Sequence, residues 1–394
     1  MDYSEKLTQS IRSVKPSGIR RFFDIVNEMD NVISLSVGEP DFQTPWHVRE
    51  AGITSLEQGK TWYTPNRGFK ELCREISNFY KRKYNLTYDP LEECVVTVGG
   101  SEAIDIAIRC MASAGDEVLI PQPSFVCYEP LTMMAGATPV IIETKAENAF
   151  RLTAEQLEEK ITEKTKLLIL PYPNNPTGGI MERADLEEIA AVIEKHDLMV
   201  LSDEIYSELT YEGKQHVSIA SIDGMRERTI VINGFSKSYA MTGWRLGYAL
   251  GPKEIIAMMV KLHQFCIMSA PTTAQYAAIE ALRNGDVDIE NMRSEYDMRR
   301  RFVVGSLNEM GLSCFNPEGA FYCFPCIKST GLTSEEFCTR LLHSKRVALV
   351  PGSAFGESGE GHVRLSYSYS IKHLIRAMEL IHEFLKELKD ESNG

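Results

Sequence analysis

One lysine of this 394-residue chain lies in a setting that suits covalent chemistry. Lys237 follows an apolar, β-branched run at residues 230–233 and stands among small and hydroxyl residues. A lysine held at the mouth of a sheet can lose its hydration and act as a nucleophilic amine, although most lysines are solvated surface groups. Arg245, eight residues later, indicates an anion bound beside the amine. A reactive amine next to an anion site predicts an aldehyde cofactor that carries a phosphate.

A second segment is suited to hold that phosphate. Residues 98–104 run from a predicted strand through two glycines into a predicted helix. The free N–H groups and the positive dipole at a helix start bind anions, and the hydroxyl of Ser101 adds a donor. A turn of this kind often does no more than connect a strand to a helix, but together with Ser236 and Arg245 it predicts a phosphate site.

A carboxylate is available for the ring of such a cofactor. Asp203 stands at the end of the predicted strand 199–202. Placed against a pyridine nitrogen, it would keep that nitrogen protonated, and a protonated ring is the electron sink that carbanion chemistry needs. The alternative is an N-cap that begins a helix. We interpret its neighbour Glu204 as a structural or surface carboxylate, and no histidine nearby suggests a metal pair.

Three further residues are candidates for contacts with the ring. The loop at residues 171–178 is rich in proline and asparagine and is predicted to be rigid, which would fix the amide of Asn175. That amide and the hydroxyl of Tyr206 could both donate to a phenol oxygen of the cofactor. Phe125 offers a flat face for stacking on a ring, with plain packing as the alternative.

Charge and cysteine usage narrow the class of protein. A net charge of −13 opposes nucleic acid and anionic membranes as partners. No apolar run reaches the ~20 residues that span a bilayer, and no signal region is evident, so we expect a cytoplasmic protein. The nine scattered cysteines favour reduced thiols. For the CxxC pair Cys323 and Cys326, core packing is one interpretation and metal or redox chemistry is the other.

Short apolar runs alternate with helical patterns through the middle of the chain. Strands are predicted at residues 94–98, 117–120, 138–142, 166–170, 199–202, 229–233 and 247–250. Such alternation predicts βαβ units and an α/β fold, with a mostly parallel seven-stranded sheet covered by helices on both faces. Ligands bind at the carboxyl ends of strands in such sheets, where the candidate residues cluster.

The two chain ends are expected to form a second, smaller α+β domain. We predict a large cofactor-binding domain at residues 46–289 and a small domain made of residues 1–45 and 290–394. A long helical pattern at residues 271–301 is predicted to cross from one to the other.

The chain resembles the pyridoxal-phosphate aminotransferases of fold type I, in the class I/II group that includes prokaryotic aspartate, aromatic and N-acetyl-diaminopimelate aminotransferases. The resemblance covers nearly the full length and is carried by ordered motifs at residues 173–178, 202–206, 236–247, 319–322 and 363–366. Segments 17–20 and 63–68 are most similar to the acetyl-diaminopimelate branch.

The resemblance implies pyridoxal 5'-phosphate as the cofactor, no metal, and a role for each matched residue. Lys237 would condense with the cofactor aldehyde and move a proton at the substrate α-carbon, while Asp203 would pair with the pyridinium nitrogen. The other cofactor contacts would come from Gly100, Ser101, Glu102, Phe125, Asn175, Tyr206, Ser236, Arg245 and, from the other subunit, Tyr63. The substrate α-carboxylate would be bound by Arg364, Gly38 and Asn175. The Asn175–Pro176 bond is expected to be cis.

The resemblance further implies a homodimer with a shared active site, which moves the amino group of an L-amino acid to a 2-oxo acid by a ping-pong mechanism. One alternative is a C–S β-lyase or another elimination enzyme on the same cofactor. Another is a non-catalytic cofactor-binding regulatory domain, which the acidic charge disfavours.

The amino donor and the oxo-acid acceptor stay open. Ser101 stands where several bacterial aspartate-specific relatives carry lysine, which weakens the case for aspartate. Ile19 and Phe23 would favour aromatic side chains, whereas Arg67 would favour acidic ones.

Overall fold

The computed structural model describes residues 3–14, 16 and 29–393. Its strands, in chain order, are β1 Ile33–Ser34, β2 Cys94–Thr97, β3 Glu117–Gln122, β4 Thr138–Glu143, β5 Thr165–Leu170, β6 Met199–Asp203, β7 Thr229–Gly234, β8 Gly247–Leu250, β9 Tyr322–Cys323, β10 Val347–Ala348, β11 Val350–Pro351 and β12 Val363–Ser366. Its α-helices are α1 Gln9–Ser13, α2 Trp46–Glu57, α3 Lys70–Tyr84, α4 Gly99–Met111, α5 Tyr128–Met134, α6 Ala154–Glu158, α7 Arg183–Lys195, α8 Lys253–Cys266, α9 Thr272–Asn284, α10 Asp286–Glu309, α11 Ser334–Lys345 and α12 Ile371–Asn393.

Seven strands form the main sheet, in the order β2-β8-β7-β6-β5-β3-β4. Strands β3 to β7 run parallel, whereas β8 is antiparallel to both of its neighbours, β7 and β2. The central strands read as continuous valine, isoleucine and leucine runs because helices bury both of their faces. All seven predicted strands and the predicted fold class are confirmed.

The sheet explains why the candidate residues meet at one edge. Because β8 is antiparallel to β2 and to β7, strand β2 points the same way as the parallel strands. The carboxyl ends of β2, β3, β5, β6 and β7 therefore lie along one edge of the sheet. Asp203 is the last residue of β6, and the segments that follow β2, β3, β5 and β7 carry Gly100, Phe125, Asn175 and Lys237.

Short strands connect the two ends of the chain. Strand β1 pairs in parallel with β10, and β11, β12 and β9 form an antiparallel sheet. They share a hydrophobic core with α10, α11 and α12, which contains Leu35, Phe321, Phe337, Leu365 and Ile381. The β1–β10 pairing brings residues 33–34 against the C-terminal part of the chain, while the domain division stays a prediction.

The helical pattern at residues 271–301 is two helices and not one. Helix α9 ends at Asn284 and α10 begins at Asp286, with Gly285 between them. A Cβ atom at Gly285 would lie 2.6 Å from the carbonyl oxygen of Ala281 and 2.8 Å from the ring of Tyr239. The close approach to Tyr239 requires glycine here, at the residue that separates the two helices.

The structure also bears on the predictions for the cysteines, for metal binding and for membrane spans. Segment 17–20, with Ile19, and the nearby Phe23 lie outside the described residues. Cys323 is fully buried in the hydrophobic core, as the packing interpretation predicted. In the described part of the chain, no three metal-binding side chains cluster together, and no helix has the length and apolar character that a membrane crossing requires.

Candidate active site

Lys237 lies just beyond the carboxyl end of β7. Its Nζ atom donates to the carbonyl oxygen of Gly38 at 2.5 Å and lies 5.7 Å from the ring centres of both Tyr206 and Phe321. Burial lowers the pKa of Lys237 from 10.5 to about 8, although the negative charge of Glu39 acts to raise it. At pH 8 about half of this amine is therefore neutral and able to act as a nucleophile.

Asp203 ends β6 and is almost fully buried. Its carboxylate accepts a hydrogen bond from the hydroxyl of Tyr128 at 2.7 Å and one from the backbone N–H of Ile205 at 3.2 Å. Burial raises the pKa of Asp203 to about 6, although these two donors act in the opposite direction. A turn follows Asp203, so the alternative that it begins a helix is wrong.

The start of α4 and the loop before β8 approach each other through glycines. A Cβ atom at Gly99 would lie 2.5 Å from Nη2 of Arg245, and one at Gly247 would lie 2.6 Å from the backbone nitrogen of Gly100. Arg245 has a left-handed φ of 52° and donates to the carbonyl oxygen of Thr242 at 2.9 Å. A guanidinium beside the amides of a helix start, which lack partners within the helix, fits a bound phosphate.

Two hydroxyl residues and one carboxylate complete the predicted phosphate contacts. Ser101 is exposed in the first turn of α4, and Ser236 is buried beside Lys237. Glu102 accepts from the backbone N–H of Val98 at 2.5 Å, and its other oxygen lies 2.5 Å from Nδ1 of His263. The carboxylate of Glu102 is thus engaged within the protein, which leaves its backbone N–H as the group available to an anion.

Arg364, in β12, is a buried cation with an unused donor. It is 3% exposed; its Nη1 atom donates to Oδ1 of Asn175 at 3.0 Å, and its Nη2 atom donates to the carbonyl oxygen of Ser36. Its Nε atom has no hydrogen-bond partner among the residues that the structure describes. The guanidinium lies over the rings of Tyr322 and Phe355, at 4.6 and 4.9 Å. A buried guanidinium with a free N–H is suited to bind a carboxylate.

The proline-rich loop presents Asn175 from a fixed backbone. The bond between Asn175 and Pro176 is cis, as predicted, and the Tyr172–Pro173 and Gln122–Pro123 bonds are also cis. Within the loop, Oδ1 of Asn174 accepts hydrogen bonds from the backbone N–H and the hydroxyl of Thr177 at 3.2 and 3.0 Å. These contacts hold the loop in the shape that brings Asn175 to Arg364.

Two of the predicted aromatic residues lie in different settings. Phe125 is half-buried and packs edge-on against Tyr128, the tyrosine that donates to Asp203, with 6.0 Å between ring centres. Tyr63 is 79% exposed on the loop before α3, beside the exposed Trp62. A single chain therefore leaves the Tyr63 ring in solvent.

Arg67 does not provide the anion contact that was considered for an acidic substrate. Its Nη1 atom donates to the carbonyl oxygens of Glu92 and Cys94 at 3.0 and 2.8 Å. Cys94 begins β2, so the guanidinium is held at the opposite end of that strand from Gly100.

Sequence reasoning missed Tyr128, Tyr322 and Ser36. Tyr128 donates to Asp203, and the hydroxyl oxygen of Tyr322 lies 2.8 Å from that of Tyr206. Tyr322 stands within a matched motif, which was the one available signal. Tyr128 has no local pattern that separates it from a packing aromatic.

Comparison with known proteins agrees with this geometry. The family model for aminotransferases of class I and II matches residues 30–381. The aspartate aminotransferase of Pyrococcus abyssi is 48% identical over 95% of this chain and 97% of its own length. Aromatic-amino-acid aminotransferase 2 of Thermococcus litoralis is 45% identical over 97% of this chain and 99% of its own length.

A solved structure agrees as well. The crystal structure of the aromatic aminotransferase from Pyrococcus horikoshii OT3 superposes with a TM-score of 0.90 at 46% identity, and the match covers 93% of this chain and 99% of that one. Members of the matched family use pyridoxal 5'-phosphate. The amine of Lys237, the carboxylate of Asp203 and the anion cradle, which consists of Arg245 and the first-turn amides of α4, fit this cofactor. The chain therefore belongs to the class I and II aminotransferases and is a pyridoxal-phosphate-dependent enzyme.

Proposed function

We propose that Lys237, Asp203 and Arg364 form the centre that transfers the amino group of an L-amino acid to a 2-oxo acid. The observation that carries this proposal is a partly buried lysine with a pKa lowered to about 8, at the same strand edge as a buried carboxylate. Transfer in two half-reactions through one site gives ping-pong kinetics.

Each residue has a task set by its surroundings. When bound, pyridoxal phosphate supplies an aldehyde carbon for amines and a protonated ring that accepts electrons from the substrate α-carbon. Asp203 holds the proton on the ring nitrogen, with Tyr128 stabilising its carboxylate. Arg245 and the first-turn amides of α4 bind the phosphate.

The substrate is oriented by Arg364 and its proton is moved by Lys237. The guanidinium of Arg364 would give a carboxylate two parallel hydrogen bonds from two of its N–H groups, with Asn175 beside it. A neutral Lys237 would take the proton from the α-carbon and pass it to the cofactor, and the reverse transfer would protonate the α-carbon of the new amino acid in the second half-reaction. Phe125 and Tyr206 complete the cofactor contacts, and Glu102 contributes its backbone N–H.

Incubation of the loaded enzyme with an amino acid alone separates transfer from elimination. Transfer converts the cofactor to its amine form once and then stops, so one equivalent of oxo acid is released per active site. A C–S β-lyase would instead release pyruvate continuously from cysteine or cystathionine. Continuous release without a 2-oxo acid acceptor would contradict the proposal. The same assay, run over a panel of donors, identifies the preferred substrate.

We also propose a homodimer in which Tyr63 reaches the phosphate of the partner site. Support comes from the exposure of Tyr63 and of the apolar side chains of Trp62, Phe265, Ile267 and Met268, in two segments that hydrogen bonds join. A mixture of Lys237→Ala and Tyr63→Ala subunits tests the idea. Mixed dimers would contain one site with both native residues, so mixing should restore activity to a level that neither variant reaches alone. No gain on mixing, with dimers shown by light scattering, would contradict a shared site.

The remaining proposals concern organisation and location. We propose the domain division at residues 46–289 and at residues 1–45 with 290–394, supported by a hydrophobic core that the chain ends form for the most part. We propose a cytoplasmic location, supported by nine free cysteine thiols. Limited proteolysis and fractionation of the source cells test these two statements.

A further inference from the structure

We infer that the hydroxyl of Tyr322 is a positioning group, which aims the hydroxyl of Tyr206 at the cofactor. The inference rests on the proposed role of Tyr206 and goes beyond it by naming the residue that orients it. Tyr322 lies in β9 and Tyr206 lies in the turn after β6, so one hydrogen bond joins the small antiparallel sheet to a turn at the edge of the main sheet.

The two hydroxyls form a buried pair. Their oxygen atoms are 2.8 Å apart, and the residues are 1% and 4% exposed. The rings meet edge to face, with 5.8 Å between their centres. Burial therefore leaves each hydroxyl few alternative partners, and the contact fixes the position of both oxygen atoms.

Three neighbours hold the Tyr322 ring in place. The guanidinium of Arg364 lies 4.6 Å above the ring centre. Phe321 packs against it with ring centres 4.8 Å apart. The hydroxyl oxygen occupies the space that a Cβ atom of Gly38 would take, which explains why glycine stands there. A ring held on these sides cannot swing its hydroxyl away from Tyr206.

The direction of the hydrogen bond follows from proton counting. Each tyrosine hydroxyl has one proton to donate. If Tyr206 donates its proton to the phenol oxygen of the cofactor, its own oxygen must accept, and Tyr322 is the donor at 2.8 Å. A donor that accepts a hydrogen bond at the same time becomes a stronger donor. Tyr322 therefore strengthens the contact that Tyr206 makes, without touching the cofactor itself.

The same residue carries a second contact that can be separated from the first. Its hydroxyl makes the hydrogen bond with Tyr206, whereas its ring makes a cation–π contact with the guanidinium of Arg364. Replacement by phenylalanine removes the first contact and keeps the second. Replacement by leucine removes both.

The test follows the visible absorbance of bound pyridoxal phosphate as pH is varied in the holoenzyme. A donor to an oxygen stabilises its anionic form, so loss of the donor raises the pH at which the bound group loses its proton. Tyr322→Phe should raise this midpoint by roughly half a pH unit, the scale of one weakened hydrogen bond. Tyr206→Phe should raise it more, and Tyr322→Phe should add nothing in the Tyr206→Phe background.

Two further variants serve as control and as an independent route. Tyr367 is another buried tyrosine of the same core, but its hydroxyl donates to the carbonyl oxygen of Ala320 at 3.2 Å, so Tyr367→Phe should leave the midpoint unchanged. Gly38→Ala displaces the Tyr322 hydroxyl and should shift the midpoint as Tyr322→Phe does. Tyr322→Leu should also raise KM for the amino acid, while Tyr322→Phe leaves KM close to the wild-type value.

The outcomes distinguish the inference from the proposed function. A midpoint that moves in Tyr206→Phe but not in Tyr322→Phe would overturn the inference alone. An equal shift from Tyr322→Phe in both backgrounds would also overturn it, because the hydroxyl would then act by another route. If neither variant moves the midpoint, the proposed role of Tyr206 fails and the inference fails with it.

Discussion

The hydroxyl of Tyr128 lies 2.7 Å from Oδ2 of Asp203 and is its one side-chain donor among the described hydrogen bonds. Tyr128 begins α5 and Asp203 ends β6, so the contact joins the helix that covers the sheet to the strand edge where the site forms. The carboxylate has been moved out of water, and two hydrogen bonds replace its hydration. Burial remains the larger effect, because it still raises the pKa of Asp203 to about 6.

Removal of the Tyr128 hydroxyl should weaken cofactor binding. A hydrogen bond to a buried carboxylate contributes about 1.5–3 kcal/mol, so Tyr128→Phe should lower affinity for pyridoxal phosphate by roughly 10- to 100-fold. The pKa of Asp203 should rise further, since a group that stabilises its ionised form is lost. Equilibrium binding to the cofactor-free protein, followed by absorbance, measures the effect, with Tyr367→Phe as the matched control. An affinity change below threefold would show that Tyr128 does not support the carboxylate.

Asp203 should destabilise the protein when no cofactor is bound. Folding raises the pKa of Asp203 from 3.8 to about 6, so the folded protein binds a proton at this carboxyl more tightly than the unfolded chain does. The stabilisation from this bound proton is complete below pH 3.8 and is lost as pH rises through 6. The shift corresponds to about 3 kcal/mol. The cofactor-free Asp203→Asn variant should therefore have the higher free energy of unfolding at pH 8 and lose that advantage near pH 4.

Urea unfolding at a series of pH values measures this difference, and Asp223→Asn, at an exposed turn position, is the control. The stability gain should come with a loss of function, because asparagine carries no charge to hold a ring proton. If Asp203→Asn were less stable than the wild type at pH 8, the carboxylate would not be the unfavourable buried charge described here.

Parts of this site can be predicted from sequence because each follows a strand directly. Lys237, Asp203 and Asn175 come immediately after apolar runs, and parallel strands bring such positions to one edge. Tyr128 and Tyr322 could not be found in this way. Their hydrogen bonds join residues 75 and 116 positions apart, and a buried tyrosine has the same local pattern whether its hydroxyl supports a site or only the core.

The fold shows the same limit at helix boundaries. The pattern at residues 271–301 reads as one helix because apolar residues continue on both sides of Gly285. An isolated glycine is tolerated within helices, so periodicity alone does not reveal the break. The reason for glycine is the approach of Tyr239, a contact that appears only in three dimensions.

Both the visible absorption of the bound cofactor and the turnover of the enzyme should depend on Lys237. Lys237→Ala should remove the visible absorption that depends on the covalent bond to the cofactor and should lower turnover by several orders of magnitude. Added pyridoxal phosphate should still bind, because the residues of the anion cradle are intact. A variant with the normal rate would end the mechanism proposed above.

The lowered pKa of Lys237 predicts how fast the cofactor attaches. Only the neutral amine reacts with an aldehyde, so the rate of recombination of cofactor-free protein with pyridoxal phosphate should rise with pH and level off above about 8. Stopped-flow absorbance measures this rate. A rate that continued to rise toward pH 10.5 would indicate an amine with the ordinary pKa of lysine.

His47 should make stability depend on pH at a place away from the active site. Its Nδ1 atom lies 2.8 Å from Glu280 of α9, and its Nε2 atom lies 3.0 Å from Asp288 of α10. Burial alone lowers the pKa of His47, but the hydrogen bonds and charges of Asp288 and Glu280 outweigh it, so the pKa is raised above 6.5.

The sign of the His47 effect follows from that shift. Because the folded pKa is raised, the stabilisation is complete below pH 6.5 and is lost as pH rises through the folded value. The side chain is about one-third exposed, so solvent screening should keep the contribution below about 1 kcal/mol. The difference in free energy of unfolding between wild type and His47→Gln should shrink between pH 6 and pH 9. A difference that grew with pH would reverse the sign and rule out a protonated His47 between these two carboxylates.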